Sequence, residues 1–285
     1  MTWGFFKKLC IADNLAVYAD KVFNNVYGYQ GFALILATFF FTIQIYCDFS
    51  GYSDIARGTA KLFGIELMEN FKSPYFSASI KEFWSRWHIS LSTWFKDYVY
   101  IPLGGNRVGR ARHYVNLMIT FLVSGLWHGA NWNFLIWGGV HGLAQIIENV
   151  FTCRKNYRSH GIEWLCKVLL TFTFCMFAWV FFRAQNFSEA VYVLKTMFYG
   201  ITSPYSYVRF GLPSIGFVWG PIKDFIFYMS MLLAYELASS NNLDVIKYLS
   251  NKKTFTRWIV YVLFIMLLIS LMPLRKTHDF VYFQF

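Results

Sequence analysis

Between Val115 and Phe151 the only ionisable side chains are His128, His141 and Glu148. A stretch so long and so poor in charge constrains the fold more than any other feature. A helix crossing the hydrocarbon core of a bilayer needs about 20 apolar residues, and such a stretch has nowhere else to go. It divides at Gly129-Ala130-Asn131 into runs at 114–127 and 132–150. Comparable apolar runs lie at 29–47, 164–183, 218–239 and 257–273. Charged residues make up 14% of the chain, against about 25% in a typical soluble domain. The pattern predicts an all-α, polytopic integral membrane protein with the bilayer as its solvent.

The net charge of +11 does not point to nucleic acid. The basic residues fall in short clusters between apolar runs, at Lys7-Lys8, Arg107/Arg110/Arg112, Arg154-Lys155/Arg158 and Lys252-Lys253/Arg257. Clusters of that kind set orientation, with the basic flanks on the cytoplasmic side. The runs at 114–127 and 132–150 then form a hairpin whose flanks are cytoplasmic and whose turn points away from that side. Five cysteines, without a C-x-x-C pair, give no disulfide framework and no zinc site, and no bound metal is expected.

The histidines carry the chemistry. His128 lies fourteen residues past Tyr114, which at 1.5 Å per residue places it about 21 Å along its helix, well inside the hydrocarbon. A polar group there is costly and usually functional. Gly138, Gly139 and Gly142 on the returning run allow close helix approach, and His141 stands among them, facing His128 or simply packed beside the glycines. Over residues 81–98 a different pattern appears. Trp84, Trp87, Leu91, Trp94 and Tyr98 recur at spacings of three and four, predicting one interfacial helix with an aromatic face and with His88 on that face. Asp48 and Asp54 follow the 29–47 run and are expected to cap the next helix or line a cavity mouth. Arg86 either pairs with an anionic group of a substrate or snorkels to headgroups. His113 falls in a charged loop.

Several strings occur together and in order: Tyr46-Cys-Asp-Phe-Ser-Gly-Tyr-Ser-Asp54, Glu82-Phe-Trp-Ser-Arg-Trp-His-Ile-Ser-Leu-Ser92, Pro102-Leu-Gly-Gly-Asn106, Ser124-Gly-Leu-Trp-His-Gly-Ala130 and Gly138-Gly-Val-His-Gly142. Together they resemble the membrane-bound O-acyltransferase family, in the branch that holds the alginate O-acetyltransferase membrane subunit and the teichoic-acid D-alanyl transfer protein. The opening Gly4-Phe-Phe-Lys-Lys-Leu-Cys-Ile-Ala-Asp-Asn14 resembles the same branch. The resemblance is dense over 1–150, the motif-bearing core, and general over the additional spans of 151–285. A single membrane-embedded domain over 1–285 is expected. Family members carry several spans ahead of the Lys7-Lys8 segment, so an amino-terminal portion is expected to be missing.

The resemblance implies a ring of helices around a funnel, with a short interfacial helix and a histidine-bearing hairpin. It implies a catalytic role for His128 and a second active-site role for His88. The activity implied is transfer of a short acyl group, acetyl above all, to hydroxyls of an exported polysaccharide, at the bacterial cytoplasmic membrane. D-alanyl transfer to teichoic acid is the near alternative, and a non-catalytic acyl conduit serving a separate transferase is the distant one. The donor is ultimately acetyl-coenzyme A or an acyl carrier. The partners expected are the polysaccharide acceptor, the lipid bilayer, an acyl-donor protein and a periplasmic or extracellular transferase. Hydroxyl acylation needs a base and a dry site, which a neutral imidazole in apolar surroundings supplies. Trp127, Asn131 and Trp132 are expected to line the acceptor site, with Arg86, Asp48 and His141 around it. No serine or cysteine sits in a nucleophile motif, so direct transfer is expected.

Overall fold

The computed structural model describes residues 1–151, 161–241, 243–271 and 280. Among these residues every regular element is helical. The chain opens with α1 (Thr2–Phe5), which continues through a π-helical turn over Phe6–Ala12 into α2 (Asp13–Phe23). A π turn shifts the side-chain register of a helix. The turn here carries Lys7 and Lys8, which are 3% and 6% exposed.

Next comes α3 (Phe32–Leu62), the longest element and the centre of the bundle. It runs well beyond the 29–47 segment read from hydropathy. The reason is charge pairing. Lys8 Nζ lies 2.6 Å from Asp48 Oδ1 and 2.9 Å from Asp13 Oδ1. Lys7 Nζ lies 2.8 Å from Asp54 Oδ2 and donates to Ser50 Oγ at 2.8 Å. With partners supplied from the amino-terminal helix, both carboxylates sit within α3, and neither caps a helix.

The aromatic segment departs from expectation too. Two short helices, α4 (Ile80–Arg86) and α5 (Ile89–Phe95), replace the single helix predicted over 81–98. Ser79 caps α4 by accepting from the Glu82 N–H at 3.0 Å, and Glu82 accepts from Ala78 N–H at 2.7 Å, a capping-box-like pair shifted by one residue. Between the helices Trp87 is extended and His88 is left-handed, with φ 43° and ψ 57°. After α5 the chain widens into a π turn over Lys96–Tyr100.

The expected hairpin is formed by α6 (Arg110–His128) and α7 (Trp132–Phe151). His113 belongs to the first turn of α6 rather than to a loop. Gly125 and Gly138 make the close approach possible: a Cβ at either would stand 2.2 Å from a carbonyl oxygen of the other helix, that of Phe134 or of Phe121. Gly139 does not share this constraint. The turn is closed by Asn131, whose Oδ1 accepts from Asn133 N–H at 3.0 Å.

The long helix α8 (Gly161–Arg183) packs on α3 and α7 and leads into α9 (Phe187–Thr196). Then α10 (Pro204–Ser214) and α11 (Trp219–Ser240) meet at 95°, and α12 (Val245–Ser250) precedes α13 (Thr254–Leu271). On length and apolarity α3, α8 and α13 each suffice to cross a bilayer, and α10 with α11 counts as a fourth if read as one broken span. By the same measure α6 and α7 are not among them, α6 opening on the basic turn Arg110–His113 and α7 carrying Asn133, His141, Gln145, Glu148 and Asn149. The basic flank Arg154–Arg158 and the last two positions of the 257–273 run lie outside the described residues.

Candidate active site

His128 is the final residue of α6, and its ring is boxed by aromatics. Trp137 of α7 meets it edge-on at 5.3 Å between centroids, Phe182 of α8 at 5.2 Å and Phe134 at 6.3 Å. Trp137 in turn stacks on Trp179 at 5.7 Å. Residues from three helices therefore fix this imidazole by packing.

His88 is fixed differently. Its left-handed backbone is unusual for a residue with a Cβ and needs support from outside the turn. The loop before α4 supplies it. Asn70 accepts from Ile89 N–H through its carbonyl and from Ser90 N–H through Oδ1, both at 3.0 Å, while Lys72 N–H donates to Arg86 O at 3.0 Å. Phe49 meets the imidazole edge-on at 4.5 Å. Burial pushes the His88 imidazole down to about 4, so it is neutral through the physiological range.

Both histidines line one cavity of about 1060 Å³. Around them its wall is apolar, with Trp87, Trp137 and Trp179, and hydroxyls at Ser92 and Ser124. Farther out the lining turns cationic, with Lys81, Lys96 and Arg107. His113, Leu117, Thr120, Ser124 and His128 follow one face of α6, so the cavity runs about 22 Å along that helix. The helical spacing back from His128 was legible in the sequence and would have found these residues.

The remaining predicted site residues are not gathered there. His141 is fully buried and does not line the cavity; its Nδ1 accepts from Trp84 Nε1 at 3.3 Å and its ring meets Trp137 edge-on at 5.1 Å. Trp127 and Trp132 are 55% and 73% exposed on the outer surface. Arg86 is held by Glu82 at 2.5 Å, one turn earlier on α4. Asp48 is locked to Lys8 and lines neither cavity.

Asn131 borders a second cavity, of about 570 Å³, on the far side of His128. Phe134 and Phe182, which flank the His128 ring, form part of its wall. The rest is polar and close to neutral. Arg183 donates to Asp20 at 2.6 Å, and Asn24, Asn131, Asn133 and Gln185 add carboxamides. Asn133 is 1% exposed; its amide donates to Ala184 O at 2.8 Å and its Oδ1 accepts no hydrogen bond from a described residue. No cluster of three or more His, Cys, Asp or Glu able to hold a metal occurs among the described residues.

Residues 1–184 match the family model described as MBOAT, the membrane-bound O-acyltransferase family. The chain is 48% identical over 196 residues to a probable alginate O-acetylase of Pseudomonas putida, covering 68% of this chain and 39% of that protein. It is 44% identical over 194 residues to a peptidoglycan O-acetyltransferase of Helicobacter pylori, covering 68% and 37%. A teichoic acid D-alanyltransferase of Bacillus subtilis is more distant, at 30% over 185 residues, covering 60% and 44%. The chain thus spans about two fifths of the length of these curated relatives.

Proposed function

Because the chain belongs to the membrane-bound O-acyltransferase family, we propose that it forms the catalytic part of an enzyme that transfers acetyl groups to hydroxyls of an exported polysaccharide. The observation that carries this reading is the convergence of His128 and His88, from separate motifs, on one cavity walled by tryptophan. His128 acts as the general base. It takes the hydroxyl proton while the hydroxyl oxygen attacks the acyl carbonyl. The tetrahedral intermediate then expels the leaving group, which receives that proton. His88, neutral and pinned, orients the reacting groups across the cavity. Ser92 and Ser124 place hydroxyl donors on the same wall, and exclusion of water by the aromatic box protects the activated acyl group from hydrolysis.

The two cavities suggest two approaches. The side bearing Lys81, Lys96 and Arg107 suits an anionic donor, either acetyl-coenzyme A or an acyl carrier. The amide-rich cavity beyond Phe182 suits the hydroxyls of a sugar acceptor. Under the positive-inside rule, the first faces the cytoplasm and the second the outer side of a bacterial cytoplasmic membrane. A periplasmic or extracellular transferase that receives the acyl group would dock on that outer side. D-alanyl transfer is the second reading, favoured only by the more distant similarity to teichoic acid D-alanyltransferases.

The test is complementation of cells lacking the native gene with the full-length protein, intact or carrying His128→Ala. Alkali-releasable acetate on the exported polymer is then measured. The substitution is expected to lower acetate by about 10²-fold or more at equal protein level, the range for loss of a general base. Undiminished acetate would leave the conduit reading in its place. Release of D-alanine instead of acetate would favour the second reading.

A further inference from the structure

Glu236 lies on α11, beyond the part of the chain that matches the family model, and is 5% exposed. Its side chain accepts a hydrogen bond from Tyr46 Oη at 2.5 Å, across 190 residues of sequence. Its backbone carbonyl accepts from Ser73 Oγ at 3.3 Å. A buried carboxylate is expensive, and nothing in the proposed chemistry uses this one. Its two partners explain where it acts.

Ser73 and His88 are the two residues other than glycine with positive φ among the described residues, at 45° and 43°. They belong to the two sides of one clamp. The loop that ends at Ser73 holds the His88 corner through Asn70 and Lys72, by the three hydrogen bonds given above. Tyr46 reaches the same corner through its ring. It packs on Phe71 at 5.9 Å and on Trp87 at 6.1 Å, and Phe71 lies parallel to the His88 imidazole at 6.4 Å. Two routes therefore run from Glu236 to His88, one through Ser73 and the loop, one through Tyr46 and the aromatic stack. A left-handed corner persists only where its surroundings over-determine it, and Glu236 is the point at which both supports meet.

We propose that Glu236 is a positioning residue for His88, so that a carboxylate outside the motif-bearing core sets the geometry of the active site. The proposal rests on the reading of His88 as an active-site residue. Glutamine at 236 still offers an oxygen to Tyr46 and an unchanged carbonyl to Ser73, whereas alanine removes the first of these.

The experiment measures acyl-transfer kinetics of the full-length protein in membranes. Glu236→Ala and Tyr46→Phe are expected to lower kcat by about tenfold with KM for donor and acceptor nearly unchanged, a coupling typical of residues sharing one network. Glu236→Gln is expected to recover most of that loss. In a His88→Ala background, Glu236→Ala is expected to add nothing, since its target is gone. A full tenfold loss persisting in that background overturns the proposal, as does wild-type kcat in Glu236→Ala when His88→Ala alone is impaired. Wild-type kcat in His88→Ala would instead sink the active-site assignment itself, and the positioning role with it.

Discussion

His88 opens α5 and His128 closes α6, and the two imidazoles line the same cavity. One sits on a single-residue corner held by hydrogen bonds from a remote loop. The other ends a regular helix and is wedged among aromatic rings. Substitution should therefore affect them through different physics.

At position 88 the backbone and the imidazole can be separated. Asparagine tolerates the left-handed region, whereas a β-branched residue does not. His88→Asn is expected to yield folded protein with acyl transfer largely lost. His88→Val is expected to lose transfer and also about 1–3 kcal/mol of stability from the forced backbone. Thermal melts of the solubilised protein, read beside transfer rates, check this. Equal melts for both variants would mean that the corner stores no strain.

Lys8 is the test of the buried charge network. It pairs with Asp13 and Asp48 at 8% side-chain exposure, so removing it takes a cation away from two buried carboxylates. Lys8→Met is expected to cost about 3–5 kcal/mol, the range for breaking a buried pair. Lys72, which reaches Glu69 only at 3.9 Å and at the surface, is the control. Lys72→Ala is expected to cost less than about 1 kcal/mol. Chemical denaturation in detergent micelles compares them, and similar midpoints for the two would refute the role assigned to Lys8.

The pH dependence follows from His88. Burial lowers its imidazole from 6.5 to about 4, so below 6.5 the unfolded chain binds a proton that the folded protein resists. Its contribution to stability is complete above 6.5 and declines as pH falls toward 4. With His88 neutral throughout, the acid limb that it imposes on transfer should centre near 4 rather than 6.5. Comparing pH–rate profiles of the wild type and His88→Asn isolates that limb. A limb at 6.5 that vanishes in the variant would show His88 to be solvated.

Much of the fold was legible because hydropathy reports what faces lipid. The runs at 114–127 and 132–150 became α6 and α7, with the glycines at the crossing. Hydropathy failed where charge was cancelled from afar: nothing near Asp48 reveals that Lys8 neutralises it, so α3 seemed to end early. The spacing of three and four across Trp84, Trp87 and Leu91 persists through a break, because the corner at His88 is imposed by Asn70 rather than by local sequence. Of the side chains singled out from the sequence, His88 and His128 line the one cavity, and most of its other lining residues were not among those singled out. Trp127 precedes His128 by one residue, which on a helix turns it about 100° away, onto the outer surface. Those that do join His128 step back along α6 by three or four residues at a time, at Ser124, Thr120 and Leu117.

That one-piece arrangement on α6 limits how such a protein can diverge. Side chains along the cavity can be exchanged individually, since each occupies its own turn. The number of residues between His113 and His128 cannot change so freely. One residue inserted there would turn everything beyond it by about 100°, carrying either the His113 end of this cavity wall or the His128 imidazole out of register with the other. Lineages descending from such a sequence should therefore drift in composition along this helix while conserving its length.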